Sequence, residues 1–126
     1  DFTATTGDTF KIALFTSSAT LGAGTTAYST SNEITNSSGT AYTAAGATLT
    51  SVTPTSSGTT ALCDFADVSY TSASFTANGA LIYNDTESGD PAVCAIAFGA
   101  DKTVTSGTFT IQFPTASATD AIIRLA

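Results

Sequence analysis

The chain contains no histidine, no tryptophan and no methionine, and it has three Lys plus Arg against ten Asp plus Glu. Each shortage excludes something. Without histidine, the side chain that ordinarily changes charge near neutral pH is missing, so the commonest general acid–base chemistry has no carrier. Three cations cannot neutralise a run of phosphates, and a net charge of −7 repels nucleic acid and anionic membranes alike. Neither a nucleic-acid nor a membrane partner is expected. No apolar run approaches the ~20 residues of a membrane-spanning helix, and no signal peptide is recognisable. The chain opens at Asp1 rather than at a methionine, so trimming is expected to have hidden the true start.

Charge of either sign is scarce: 10% of residues, where about a quarter is typical. Thr and Ser take its place, at about a third of the chain. A Thr-rich surface suits the pleat of a β-strand, because a branched Cβ fits there, and it suits long solvent-facing helices badly. The 126 residues have the usual size of one domain. A domain of this length buries roughly two-thirds of its unfolded surface and folds without a metal or a disulfide framework. Cys63 and Cys94 are the only cysteines. They read either as two small buried hydrophobes or as one disulfide between neighbouring strands.

Hydrophobic patterning gives about eight strands separated by turn signals, and so an all-β antiparallel β-sandwich or jelly roll over 1–126. Residues 1–8 read as a terminal arm. TFKIALFT (9–16) is a strand with Phe10, Ile12 and Leu14 on one face and Lys11, Ala13 and Phe15 on the other. Residues 16–46 are a long Ser/Thr/Gly-rich excursion in which Leu21, Tyr28, Ile34 and Tyr42 are spaced too widely for one element. Structureless loops of that length are often functional, so this one is the expected contact arm. ATLTSVTP (47–54) is a strand stopped by Pro54, SSGTT is a turn, and ALCDFADVSY (61–70) is a strand with a bulge near Asp67.

In ASFTANGALIYN, Asn78-Gly79 predicts a tight type I′ hairpin pairing Phe75 with Ile82 and Thr76 with Leu81. That register puts Phe75, Ala77, Ala80 and Ile82 on a core face and leaves Leu81 and Tyr83 on the opposite one. Those two are either a contact surface or the seat of a second sheet. NDTESGDP (84–91) is a polar turn. AVCAIAFG (92–99) is apolar on both faces and reads as a central strand. ADKTVTSG (100–107) is a hairpin, TFTIQFP (108–114) a strand, and DAIIRLA (120–126) a closing strand.

Motifs that carry chemistry are sparse. No Ser lies in a G-x-S-x-G setting, and nothing around Lys11 or Lys102 supports a Ser-Lys pair. Asp64 and Asp67 read as turn carboxylates bonded to backbone N–H groups rather than as a glycosidase pair. Asp85, Glu87 and Asp90 offer hard oxygen ligands for Ca²⁺, against the plainer reading of a solvated loop. LGAGTT lacks the lysine of a phosphate loop. Asn36-Ser37-Ser38 and Asn84-Asp85-Thr86 match the glycosylation sequon, as chance allows in a chain this rich in Ser and Thr. No cofactor is expected.

Several stretches, in order, resemble a small family of virion structural proteins of tailed bacteriophages. They are FKIALFTSSATLGAGTTAYSTSNEI, AYTAAGATL, DFADVSY, SFTANGALIYN, DKTVTSGTFTIQFP and the terminal AIIRLA. The resemblance implies a non-enzymatic part of a phage particle, on the virion surface. It would decorate or cement the capsid through contacts with the major capsid protein or other virion proteins, and would self-associate in a symmetric assembly. Leu21, Tyr28, Ile34, Tyr42, Leu81 and Tyr83 are the candidate contact residues. The alternative is a head-fibre or tail-associated module that binds a receptor or glycan, which predicts clustered exposed aromatics. A hydrolase is the third reading, disfavoured by the missing histidine.

Overall fold

The structure, a computed structural model, describes residues 1–35 and 39–126. It is all-β, with two antiparallel sheets and no helix among the described residues, an arrangement consistent with a β-sandwich. Among the described residues seven strands form where about eight were expected: β1 (Phe10–Phe15), β2 (Ala47–Thr48), β3 (Ser51–Ser57), β4 (Thr60–Phe65), β5 (Val68–Asn84), β6 (Ala92–Ile111) and β7 (Ile123–Leu125). The larger sheet has the order β2-β1-β5-β6 and the smaller β3-β4-β7.

The Asn78-Gly79 hairpin does not form. β5 runs straight through it, with Phe15 opposite Gly79 on one side and Ala97 opposite Gly79 on the other. A tight turn needs only two short strands. A segment apolar on both faces gains more by taking a strand on each edge and a cover on each face. The turn that ends β5 lies in the polar stretch expected to form one, 84–91, where Gly89 and Asp90 take positive φ. The Asn-Gly pair serves as an irregularity inside the strand. The register between β5 and β6 shifts between Ala77 and Gly79, and the Asn78 amide donates to the Asp101 carboxylate at 2.8 Å. A Cβ at Gly79 would stand 2.9 Å from the Ile96 carbonyl oxygen, so the close approach of β6 requires glycine there. The expected face assignment survives: Phe75, Ala77, Ala80 and Ile82 join the main core, and Leu81 and Tyr83 lie on the other side.

Other boundaries move for similar reasons. The strand expected at 92–99 is the first part of a 20-residue outer strand, not a central one, and Ala95 and Ala97 are exposed. Alanine on both faces imitates a buried strand without demanding burial. The hairpin expected over 100–107 is absorbed into β6, with Gly99 and Ser106 at positive φ and register shifts nearby. Pro54 does not stop β3. That strand is an edge, and its register shifts between Val52 and Thr55, so the missing N–H costs no ladder bond. The strand expected at 61–70 breaks at Ala66-Asp67, where the chain crosses from the small sheet to the large one. Asp67 accepts the Phe113 N–H at 2.8 Å, and Asp64 that of Phe65 at 2.8 Å, the backbone roles expected of turn carboxylates.

The main core joins Phe10, Ile12 and Leu14 of β1 to Tyr70, Phe75 and Ile82 of β5, Phe65 of β4, and Tyr42, Leu49 and Phe113 from the connections. Each fully buried side chain of this size stabilises by roughly 1.5–3 kcal/mol. The terminal arm is docked through Phe2, which stacks on Phe10 at 4.5 Å between ring centroids. Both cysteines are free and half-buried, Cys63 on β4 and Cys94 on β6, in different sheets. No disulfide joins them here, and Cys94 packs against the main core.

Candidate functional site

The second face of the large sheet carries a smaller cluster of Ala13, Phe15, Leu81 and Tyr83, with Ala19, Leu21 and Tyr28 of the excursion packed on it. Neither a partner nor a second sheet is needed to bury it, because the chain's own excursion folds back across. Leu81 and Tyr83 are each 1% exposed, Ile34 5% and Tyr42 2%, so these four candidate contact residues lie inside the protein. Leu21 and Tyr28 are half-buried on the same cluster. Ile34 and Tyr42 belong to the main core, and Leu21, Tyr28, Leu81 and Tyr83 meet in the second cluster, a grouping the patterning did not reveal.

Glu33 holds the arrangement together, and the sequence reading passed it over. Its backbone bridges to Phe15, where β1 ends. One carboxylate oxygen accepts the Tyr28 hydroxyl at 2.6 Å; the other accepts the Tyr42 hydroxyl at 2.6 Å and the Ala45 N–H at 2.8 Å. Tyr42 Oη in turn accepts the Leu14 N–H at 2.9 Å, which ties the network to β1. Tyr83 donates its hydroxyl to the Ala45 carbonyl at 2.7 Å, and its ring stacks on Tyr28 at 4.5 Å. Among the described residues Glu33 makes no ion pair. A carboxylate away from cations is stabilised by hydrogen bonds instead, and three donors meet that need. The available signal was a lone acid in a Ser/Thr-rich stretch, flanked at some distance by Tyr28 and Tyr42.

The phenols are correspondingly held neutral. Burial first, and then the hydrogen bond to Glu33, push Tyr28 and Tyr42 well above the ordinary phenol range. Burial does the same to Tyr83, helped by the charges of Asp85, Asp90 and Glu33. Such groups hold shape and do not exchange protons near neutrality.

The remaining candidates do not converge. Asp85 pairs with Lys11 at 3.0 Å, and the Asp90 N–H donates to the Glu87 carbonyl within the turn. No group of three or more metal-ligating side chains is gathered among the described residues, so the Asp85, Glu87 and Asp90 trio is not assembled for Ca²⁺. Asn84 is buried, donating to Asp8 and accepting from the Thr86 N–H, and is not presented for glycosylation. The Asn36 sequon lies outside the described residues. No family model, curated protein or solved structure matches the chain.

Proposed function

We propose that the chain is a non-enzymatic structural protein of a phage virion, one that decorates or cements the capsid through protein–protein contacts. The observation that carries the contact role is β6. It is 20 residues long and forms the outer edge of the larger sheet. Val93, Ile96, Phe98, Val104 and Phe109 along it are only half-buried. A long sheet edge with partly covered apolar side chains is a hazard in a free monomer and an asset in an ordered assembly, where a neighbour completes it. The virion setting rests on the ordered stretches that resemble phage structural proteins. The hydroxyl-rich, histidine-free composition supports a part that works by shape. Against the glycan-binding alternative stands the placement of the aromatics: among the described residues no aromatic side chain is fully exposed.

The test is mass spectrometry and cryo-electron microscopy of purified particles of the phage that encodes the chain. A fixed copy number at symmetry-related capsid positions is expected. Purified particles without the chain would overturn the reading, and density confined to a fibre or tail tip would replace it with the alternative.

A further inference from the structure

The excursion is not held uniformly. Its later part is fastened to the sheet by the Glu33 network, by the Ile34 N–H donating to the Leu14 carbonyl, and by a bridge between Ala27 and Pro91. Residues 17–25 differ. Their hydrogen bonds among the described residues stay inside the excursion: Ala19 N–H to Thr16 O, Thr25 N–H to Gly22 O, Gly22 N–H to Thr25 Oγ1, and the Asn32 amide to Ser18 O. Among the described residues, Ala19 and Leu21 are the members of the stretch packed on the apolar cluster of the sheet. The fit there is loose. A groove of about 190 Å³ is lined by Leu21 together with Gly79, Ile96 and Ala97, and another of about 170 Å³ by Leu21, Leu81 and Asn32. Phe15, Ala19 and Leu21 line both. Gly22 and Gly24 face open space.

From this juxtaposition we infer that residues 17–25 are a lid, plugged by Leu21, that opens over a floor of Phe15 and Leu81 while both sheets stay intact. Opening breaks no hydrogen bond to a strand and separates no strand pair. It merges the two grooves into one trough with Phe15 and Leu81 in its floor and hydroxyl side chains along one rim. The fixed points are Thr16, whose N–H donates to the Asn32 carbonyl, and Thr26, whose carbonyl accepts the Ala92 N–H. Local openings of this kind lie well below the free energy of global unfolding.

Thiol accessibility tests it, in the intact chain with Cys63→Ser and Cys94→Ser. Leu81→Cys places a thiol on the floor; Ile82→Cys, one residue along β5, places it in the main core on the other face. Under native conditions, position 81 is expected to react with a small disulfide reagent at least roughly ten-fold faster than position 82, which waits for global unfolding. Adding Leu21→Ala should raise the rate at 81 by a further roughly ten-fold, about what part of a leucine's burial controls, with the ratio of the two rates widening. Equal rates at 81 and 82, both following global unfolding as denaturant is added, would overturn the lid. If Leu81→Cys fails to fold by circular dichroism, Phe15→Cys reads the same floor from β1, with the same two outcomes.

Discussion

Glu33 is a single carboxylate with three donors, and its removal strands more than it deletes. Glu33→Ala leaves the buried Tyr42 hydroxyl and the Ala45 N–H without their acceptor. An unsatisfied buried polar group costs about 1–3 kcal/mol, so a loss of about 2–4 kcal/mol is expected, read as a shift of the urea midpoint with an unchanged slope. Glu33→Gln keeps one acceptor oxygen but turns an NH₂ toward a donor, and should lose about half as much. Tyr42→Phe should cost more than Tyr28→Phe. The Tyr42 hydroxyl also accepts the Leu14 N–H, whereas Tyr28 is half-buried and water can replace part of what it loses. Unfolding followed by circular dichroism suits a chain without tryptophan. Equal costs for the two tyrosines would mean that the link to β1 contributes nothing.

The elements depend on backbone approaches as much as on side chains. The turn before β2 ends at Gly46, whose N–H donates to the Thr43 carbonyl and whose φ is +82°. A Cβ there would collide with the backbone of Ile12 on the neighbouring strand. Gly46→Ala therefore combines a left-handed conformation with a backbone clash. It should destabilise by about 3 kcal/mol or more, whereas Gly24→Ala, with nothing near its Cβ position, should stay within about 0.5 kcal/mol. Thermal unfolding of the two variants side by side decides it; similar melting temperatures would mean that the turn re-forms elsewhere. Elements were partly legible beforehand. β1 and its two faces followed from alternation, and β7 and the Gly58-Thr59 turn from their punctuation. The turn over 84–91 was placed correctly, but an extra hairpin was put inside β5 because Asn78-Gly79 satisfies the local rule for a turn, while the pairing that overrules it comes from β1, more than sixty residues away in sequence.

At the scale of the molecule, all four tyrosines belong to or pack on the two apolar clusters and are shifted in the same direction. Tyr28, Tyr42 and Tyr83 are pushed up by burial and neighbouring acids, and burial pushes Tyr70 up to about 12. The Tyr70 hydroxyl makes no hydrogen bond of ordinary geometry among the described residues, although the nearby Ala47 backbone offsets part of the shift. A phenol in the unfolded chain titrates near pH 10. Folded-state values above that mean the folded chain keeps protons that the unfolded chain loses. The stability these groups contribute is thus complete below about pH 10 and falls as pH rises through the folded values. The absorbance of phenolate should stay flat through pH 10 and then rise together with the loss of the circular dichroism signal, in one transition. A separate phenolate step near pH 10 in the folded protein would show a tyrosine open to water.

The sequence by itself determined the class and the ingredients. Scarce charge and abundant Thr favour a β-rich chain, and alternation along 10–15 and 80–83 selects residues for two apolar faces, because a strand's side chains alternate whatever it packs against. Only the tertiary structure decided what meets those faces. Leu81 and Tyr83 were expected to meet either a partner or a second sheet, and instead the excursion of 16–35 closes over them, fastened by the Glu33 carboxylate. The physical reason is range. Alternation and turn chemistry act over a few residues, whereas the contacts from Tyr42 to Leu14, from Tyr83 to Ala45 and from β1 to β5 join points 28, 38 and more residues apart, and only the closed chain brings them together.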